Sequence, residues 1–330
     1  MGKCRLKVSI AMATYNGGNY LREQLDSFCT QTRLPDELVI TDDCSTDDTL
    51  AIVESFAASA PFEVRWARNE VNLGYSENFN KALMETIGDL VFLSDQDDVW
   101  FPEKLERMER YALENPGALV LMNDAALTDG ELNDTGLTKR GQIASVGMTD
   151  SSFVMGCCVA VRRELLDLCL PIPVEYNAHD DWIVNMAEGV GRKRVCPDVL
   201  QWYRRHGQNE SHYIANRTTK VTRATLLKHY LSCLIQGGVL PEGSVDSSAQ
   251  LQAFLAGVSD ARDRSLSPLS DEFNDHLLRL ENRLSALDGR LAVRVKARWM
   301  RLPGVLRLWR KGAYGEFAGA KSAVRDLLFR

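Results

Sequence analysis

The sequence predicts an α/β fold, a doubly wound and mainly parallel sheet followed by a helical C-terminal region. Short apolar segments alternate with amphipathic helical segments over the first two thirds of the 330 residues, which is the pattern of a parallel sheet covered on both faces. From residue 216 the periodicity is helical only. We therefore predict one domain at residues 1–215 and a helical, basic region at residues 216–330.

Five short apolar runs in the first region are predicted strands. Turn-forming residues bound each run, and most runs are continuous rather than alternating, as expected for strands buried on both faces. They lie at residues 8–13, 38–40, 62–67, 90–93 and 119–122. Between them we expect Asn19 to cap the first helix, Ser45 or Thr46 to cap the second, and Pro102 to lie in the first turn of another.

Composition excludes several classes of protein. A hydrophobic content of 45% and a charged content of 25% are ordinary for a soluble protein. The eight cysteines form no CxxC pair, so a zinc site or a secreted disulfide framework is not expected. The N-terminal apolar run is too short for a signal peptide or a membrane span. These features predict a cytoplasmic protein.

The second region contains a heptad-like stripe of apolar residues. Such a stripe predicts either a helix packed on the main domain or a pair of helices that joins two subunits of a homodimer. The residues of the stripe are Phe273, Leu277, Leu280, Leu284, Leu287 and Leu291.

A basic tail follows this stripe, although the formal net charge of the chain is -6. Basic residues alternate with Trp and Leu, which is typical of a helix lying at an anionic membrane surface; the alternative is a helix that caps the first domain with its charges in water. On charge alone nucleic acid would fit equally. We expect Pro303-Gly304 to divide the tail in two. The basic residues are Arg290, Arg294, Lys296, Arg298, Arg301, Arg307, Arg310 and Lys311.

Three aspartates follow the fourth predicted strand within four residues. Asp95, Asp97 and Asp98 would repel one another, and a cation at this position would offset the repulsion. In an extended segment Asp95 and Asp97 face the same side, and oxygen ligands suit Mg²⁺ or Mn²⁺. The alternative is a solvated turn in which Asp98 caps a helix.

A second acidic pair, Asp42 and Asp43, ends the second predicted strand. Capping and the helix dipole explain Asp47 and Asp48, but the first pair precedes the helix. A carboxylate there can accept hydrogen bonds from a base or a ribose. Ligands of doubly wound sheets bind at the carboxyl ends of the strands, where both acidic groups are predicted to lie.

Five motifs stand in order along the first region: VSIAMATYNG (8–17), ITDDCSTD (40–47), NLG (72–74), LSDQDDVWFP (93–102), and HDDW (179–182) followed by YRRHGQN (203–209). They resemble the successive motifs of family 2 glycosyltransferases with a GT-A fold. The HDDW and YRRHGQN segments most resemble the bacterial rhamnosyltransferase-like branch. The resemblance covers about residues 6–215, and five motifs in the right order are far more specific than any one of them.

The resemblance implies a role for each matching residue. A nucleobase site, a ribose site, a metal that bridges the diphosphate, and a general base are all expected. The implied residues are Tyr15 and Asp43 for the base, Asp95 for the ribose, Asp97 for the metal, His206 near the diphosphate or metal, and Asp180 as the general base.

The sequence departs from the family pattern at two positions. Cys44 stands where the family often has Gly, and His179 stands where it often has Glu. The neighbouring Asp181 leaves open which of two aspartates is the base. Asp180 and Asp181 precede an apolar helical segment and have a second interpretation as N-terminal helix caps.

The resemblance implies an inverting, metal-dependent glycosyltransferase with Mg²⁺ or Mn²⁺. Its partners would be a nucleotide-diphosphate sugar, with rhamnose as one option, and a glycan or lipid-linked acceptor of surface polysaccharide synthesis, at the inner face of the membrane. We expect no nucleic-acid partner. Two alternatives are a sugar nucleotidyltransferase and a non-catalytic nucleotide- or carbohydrate-binding module. The first needs a basic, glycine-rich phosphate loop, and Asn16-Gly17-Gly18-Asn19 contains no Lys or Arg.

Overall fold

The computed structural model of the protein describes residues 5–207, 209, 216–222, 224–225 and 248–328. The chain divides into two units, Met1–Leu226 and Leu227–Arg330. The first has alternating strands and helices, and the described part of the second has helices and helical turns. The domain boundary that we predict at residue 215 falls outside the described residues.

The strands of the first unit form one mixed sheet. Its order, over the described residues, is β3-β2-β1-β4-β8-β6-β9-β5, with β7 paired to β6. The strands are β1 (Val8–Thr14), β2 (Glu37–Asp42), β3 (Glu63–Arg68), β4 (Leu90–Ser94), β5 (Val99–Trp100), β6 (Val120–Thr128), β7 (Asp134–Thr138), β8 (Val159–Arg162) and β9 (Lys193–Arg204).

The first four strands in this order are parallel, as the alternation of strands and helices predicts. β1 pairs with β2 and β4, and β2 pairs with β3, all in parallel. β8 then runs antiparallel between β4 and β6, and β9 is parallel to β6. The carboxyl ends of β1, β2 and β4 therefore meet at one edge of the sheet.

Helices cover this sheet because their apolar faces match its buried strands. In β1, β2 and β4 almost every residue is buried, and side chains of α1 join those of β1 in one apolar core. The helices are α1 (Leu21–Cys29), α2 (Thr49–Ala57), α3 (Tyr75–Glu85), α4 (Lys104–Glu114), α5 (Lys139–Ser145), α6 (Arg163–Cys169) and α7 (His179–Gly189).

The predicted helix caps are wrong. Tyr20 stands at the N-cap of α1, and Asn19 lies before it. α2 begins at Thr49, whose backbone N–H donates to the Asp47 carboxylate at 3.1 Å. Ser45 instead donates to Asp42, so a strand-end aspartate competes successfully for the predicted capping hydroxyl. Pro102 precedes α4 rather than lying in its first turn.

The second unit is built around two packed helices. α8 (Ser248–Arg264) packs against α9 (Leu269–Arg294), and most of the predicted stripe is buried on α9. The short helices α10 (Leu302–Arg310) and α11 (Ala320–Leu328) follow. Each helix in the described part of the chain is too short or too polar to cross a lipid bilayer.

Two basic residues of the tail do not face water, contrary to both interpretations of that segment. Arg290 and Arg301 are each 1% exposed. Arg290 Nε donates to Asp326 Oδ2 at 2.8 Å, and Arg301 Nη1 donates to the Asp326 backbone carbonyl at 3.1 Å. A buried guanidinium needs such partners because its desolvation is costly. These two arginines therefore connect the helices of the unit.

The break in the tail also differs from the prediction. α9 ends at Arg294, and Pro303-Gly304 lies inside the first turn of α10. Proline is tolerated there because that N–H has no partner within the helix. A side chain at Gly304 would meet Val293 at 2.7 Å, so glycine permits the close approach of α10 to the end of α9.

We predict that Asp326→Ala destabilises the second unit by roughly 3–5 kcal/mol, because it removes the carboxylate that pairs with the buried Arg290 guanidinium. Urea unfolding followed by circular dichroism measures the loss. Asp260→Ala is the control, since Asp260 forms an exposed pair with Arg264, and its unfolding midpoint should match the wild type. Equal midpoints for both variants would contradict a structural role for the buried pair.

We also predict that acid destabilises the second unit through His276. Burial, together with the charge of Arg279, lowers the pKa of His276 from 6.5 to about 4, and neither ring nitrogen has a hydrogen-bond partner among the described residues. Below pH 6.5 His276 binds a proton in the unfolded chain, whereas in the folded chain it stays neutral until the pH approaches 4. About 3 kcal/mol of stability is then lost as the pH falls toward 4.

The measurement is the urea midpoint as a function of pH for wild type and His276→Phe. Phe keeps the packing against Phe254, whose ring lies 5.9 Å from that of His276. The variant should lose less stability on acidification. Parallel pH curves for the two proteins would show that His276 is not the group responsible.

Candidate active site

The predicted site residues follow strands that are neighbours in the sheet. Thr14 at the end of β1 is in register with Asp42 at the end of β2, and Met12 is in register with Ser94 at the end of β4. Tyr15, Asp43 and Asp95 come directly after these ends. They therefore share the edge at which ligands of doubly wound sheets bind.

Asp43 holds a loop against the end of β2. Its carboxylate accepts hydrogen bonds from the backbone N–H groups of Leu73 and Gly74, both at 2.8 Å, and from the Asn69 side chain at 2.9 Å. These contacts explain why the NLG segment accompanies Asp43, because the backbone amides of that segment bind the Asp43 carboxylate. Cys44 has a positive φ of 66°, a conformation that favours glycine, so its position accounts for the glycine common in the family.

Tyr15 is clamped to the acidic segment by a reciprocal pair of hydrogen bonds. The Tyr15 backbone N–H donates to Gln96 Oε1, and Gln96 Nε2 donates to the Tyr15 carbonyl, both at 2.9 Å. A Cβ at Gly17 would lie 2.3 Å from Gln96 Oε1, so a side chain there would push Gln96 out of the clamp. The Tyr15 side chain is 49% exposed and is available to a ligand.

Asp97 meets the end of β9. Its Oδ2 lies 2.8 Å from His206 Nε2 and 3.0 Å from Asn209 Nδ2. Arg204 donates from Nε to the Asp97 carbonyl at 2.8 Å, and the Tyr20 ring stacks on the His206 ring at 4.6 Å. The structure thus brings together Asp97 and His206, which are 109 positions apart.

Asp98 belongs to a buried group beneath the site. It accepts hydrogen bonds from Gln201 Nε2 at 3.0 Å and from the Arg204 backbone N–H at 3.2 Å. Burial and the nearby Asp97 raise the pKa of Asp98 to about 7. It is therefore neither a solvated turn residue nor a helix cap, since α4 begins at Lys104.

A thiol adjoins this carboxylate group. Ligand atoms of Asp95, Asp98 and Cys157 lie within 4.8 Å of one another. Burial raises the pKa of the Cys157 thiol well above its ordinary value, so the sulfur keeps its proton and acts as a donor to the carboxylates. Mg²⁺ and Mn²⁺ prefer oxygen ligands, which makes the Asp97 carboxylate, rather than the Cys157 thiol, a suitable partner for such an ion beside Asp95.

Asp180 reaches the same group from α7. Its Oδ2 accepts the Gly156 backbone N–H at 3.1 Å, and its Oδ1 accepts the Asp181 N–H at 2.8 Å. Burial, and then the charges of Asp97, Asp98 and Asp180, raise the pKa of Asp95. Asp180 is therefore electrostatically coupled to the acidic segment, although the two are far apart in sequence.

Its two neighbours have other roles. Asp181 is buried and accepts a hydrogen bond from the Tyr176 hydroxyl. His179 is buried too, and its ring stacks on Phe79 at 4.1 Å. Burial lowers the pKa of His179. At the position where the family often has Glu, this chain therefore has a neutral histidine that packs against its neighbours.

A buried lysine compensates the acidic group from below. Lys104 Nζ donates to the Cys157 carbonyl at 2.9 Å and to the Gln201 side chain, and lies 3.7 Å from the centre of the Trp100 ring. Burial lowers the pKa of Lys104 to about 8, and the charge of Asp98 opposes that shift. No sequence pattern marks this residue, because its position in the first turn of α4 is an ordinary one for lysine.

Sequence reasoning also missed Tyr20, Arg204 and Asn209 as neighbours of Asp97. Arg204 and Asn209 stand in the YRRHGQN segment and could have been found there. Tyr20 stands just outside the first motif. The structure joins four of the six predicted residues in one cluster and leaves two on neighbouring strand ends: Asp95, Asp97, Asp180 and His206 form the cluster, and Tyr15 and Asp43 lie beside it.

Comparisons with known proteins show which families and folds the chain resembles. Residues 9–169 match the model of the Glycosyl transferase family 2. An uncharacterised glycosyltransferase of Nostoc sp. is 27% identical over 226 residues, which is 65% of this chain and 70% of the relative. The dTDP-rhamnosyl transferase RfbG of Shigella flexneri is 35% identical over 99 residues, which is 29% of this chain and 34% of the relative. The chain spans 60–70% of the length of the first relatives it matches.

Two solved structures have the same fold. Residues 1–349 of TarS from S. aureus, in complex with UDP, superimpose with a TM-score of 0.53 at 19% identity, over 97% of this chain and 90% of that one. The mannosyltransferase PcManGT of Pyrobaculum calidifontis, in complex with GDP-Man and Mn²⁺, gives a TM-score of 0.52 at 20% identity, over 99% and 88%. For the rhamnosyltransferase-like branch, the RfbG match covers about a third of each chain. The chain therefore has a GT-A fold, and its residues 9–169 resemble the Glycosyl transferase family 2.

Proposed function

We propose that this protein transfers a sugar, with inversion, from a nucleoside diphosphate to a hydroxyl of a glycan or lipid-linked acceptor. The observation that carries this is the convergence of Asp180, from α7, on the acidic segment that follows β4. A binding module would need the nucleotide-binding residues at the strand ends. It would have no use for a carboxylate brought to them from a distant helix.

Donor binding is assigned to the edge formed by β1, β2 and β4. Tyr15 presents a half-exposed ring on which a nucleobase can stack. Asp43 holds the loop beside it through two backbone amides and contributes to the base site together with that loop. Asp95 is the ribose-binding residue in this proposal.

Asp97 and His206 would hold a divalent cation, Mg²⁺ or Mn²⁺. The two side chains already meet at 2.8 Å, and the Asp97 carboxylate supplies the kind of oxygen ligand that both ions prefer. When bound, the ion would stabilise the negative charge of the departing diphosphate. PcManGT, which shares the fold, forms a complex that contains Mn²⁺.

Asp180 is the proposed general base. Its carboxylate takes the proton from the acceptor hydroxyl as that oxygen bonds to the anomeric carbon and the bond from that carbon to the diphosphate breaks. The single displacement inverts the anomeric configuration, and the nucleoside diphosphate leaves with the electron pair. Asp181 suits this role less, because it is buried and bonded to the Tyr176 hydroxyl.

The geometry of the first loop argues against a sugar nucleotidyltransferase. The Gly17 N–H donates to Thr49 Oγ1 at 2.8 Å, and the Gly18 N–H donates to the Asp47 carboxylate at 2.9 Å. Amides that already donate to Thr49 and Asp47 do not form a phosphate cradle. The loop also has no basic side chain, so it lacks both features of such an enzyme.

For the donor we propose a nucleoside-diphosphate rhamnose, and for the process surface polysaccharide synthesis at the inner face of the membrane. The support is the RfbG match and the resemblance of the HDDW and YRRHGQN segments to that branch. Thermal shift with UDP, GDP and dTDP, each with Mn²⁺, tests the nucleotide, because a ligand that binds the native state raises its apparent stability.

Asp180→Asn should bind the donor nucleotide normally but transfer sugar about 10²–10⁴ times more slowly, the usual contribution of a general base. Single-turnover transfer and nucleotide titration separate the two quantities. Asp181→Asn is the matched control: the amide still accepts from Tyr176, and its rate should stay within about tenfold of wild type. A slow Asp181→Asn beside a fast Asp180→Asn would reverse the assignment.

Asp97→Asn should uncouple nucleotide binding from the metal, because it removes the charged ligand while keeping the contact with Asn209. The thermal shift that nucleotide and Mn²⁺ produce together should fall to the value with nucleotide alone. Asp129→Asn, at an exposed turn of the same unit, should respond like wild type. A full metal-dependent shift in Asp97→Asn would rule this residue out as a ligand.

A further inference from the structure

The second unit exposes apolar side chains that a helix of this kind normally buries. α10 directs Val305 inward, where it packs with Val293 and Tyr314. The apolar face of the helix is wider than this contact. Residues at i, i+4 and i+7 form a second stripe in solvent, with Leu302 51% exposed, Leu306 47% exposed and Trp309 50% exposed.

The turn before α10 extends this stripe. Trp299 is 82% exposed and Val295 is 85% exposed. Exposing two tryptophan side chains to water is unfavourable, because burying an apolar side chain lowers the free energy by roughly 1.5–3 kcal/mol. Their indole rings combine an apolar body with one N–H donor, the combination that favours the boundary between lipid and water.

Basic side chains flank the stripe. Residues 291–328 contain nine Lys and Arg and two acidic residues, a net charge of +7 in a chain whose total is -6. One of the two acids, Asp326, is buried against Arg290, and two of the nine basic residues, Arg301 and Arg325, are buried as well. The exposed basic residues nearest the stripe are Lys296, Arg298, Arg307, Arg310 and Lys311.

We propose that this face of the second unit, hereafter the tail surface, binds an anionic phospholipid membrane. The tail surface consists of Val295, Trp299, Leu302, Leu306 and Trp309 with the five exposed basic residues around them. The apolar side chains enter the headgroup region, and the basic ones pair with lipid phosphates. The unit lies on the membrane, since each described helix is too short or too polar to cross it.

Charge selects the lipid surface over a second copy of the chain. A two-fold dimer through the tail surface would bring the same positive patch of both subunits together. Nucleic acid would satisfy the charges but would leave the leucines of the stripe without an apolar partner. The proposal does not depend on glycosyl transfer, because it rests on the second unit alone.

Co-sedimentation of the full-length protein with vesicles tests the proposal. The protein should pellet with vesicles of equal parts phosphatidylglycerol and phosphatidylcholine at low salt, and stay in solution with phosphatidylcholine alone. High salt should release it because screening weakens the attraction. Intrinsic tryptophan emission should shift to shorter wavelength on binding. A protein that ignores the anionic vesicles at low salt overturns the proposal.

Variants of exposed residues identify the surface without disturbing the fold. Arg307→Gln/Arg310→Gln should weaken binding on the order of 25-fold, about fivefold for each charge, and Trp299→Ser/Trp309→Ser should weaken it by tenfold or more and abolish the emission shift. The controls carry exposed changes elsewhere: Arg110→Gln/Lys220→Gln removes equal charge from the first unit, and Leu266→Ser removes an 85% exposed leucine.

Both controls should bind like wild type. If the charge control weakens binding as much as the Arg307 and Arg310 variant, attraction is a property of the whole chain and the tail surface is not the site. If sedimentation equilibrium instead shows a dimer that Leu306→Glu dissociates, the stripe belongs to a second copy, and the proposal is wrong.

Discussion

Compensation of negative charge is the constraint on which the site depends. The segment after β4 contains three aspartates, and Asp180 adds a fourth carboxylate from α7. Carboxylates this close cannot all ionise unless positive charge or hydrogen-bond donors surround them. Lys104 supplies buried positive charge from below, and Arg204 donates to the backbone of the segment. The fold around β4 thus supplies the positive charge and the hydrogen-bond donors that allow these carboxylates to lie close together.

β9 contributes more to the site than its sequence suggests. It pairs with β6 from Lys193 to Arg204, and its C-terminal end, with His206 just beyond it, brings polar groups to Asp97 and Asp98. The acidic segment is thereby held between two distant parts of the chain, β4 and β9. Positions on rigid strands hold side chains more precisely than positions on loops do, which suits a site that must orient two substrates.

Periodicity predicted five of the nine strands in the described residues, β1 to β4 and β6, and with them the parallel half of the sheet. The antiparallel direction of β8 could not be predicted, since strand direction depends on long-range pairing that local sequence does not contain. Motif order identified the six candidate residues. The predicted Ser45 cap failed because its hydroxyl is bonded to Asp42 and to the Asn16 backbone N–H. Lys104 was missed because nothing in the local sequence shows that its ammonium group lies beside buried carboxylates.

The tail shows the same limit in another form. Its basic residues look equivalent in sequence, yet Arg290 and Arg301 lie in the core while Arg307 and Arg310 face water.

The clamp between Tyr15 and Gln96 has a consequence for protein engineering. Because Gln96 fills the space that a side chain at Gly17 would need, a substitution at Gly17 displaces Gln96 and breaks its hydrogen bonds to Tyr15. Libraries that diversify the loop after β1 should therefore vary residue 96 together with residue 17.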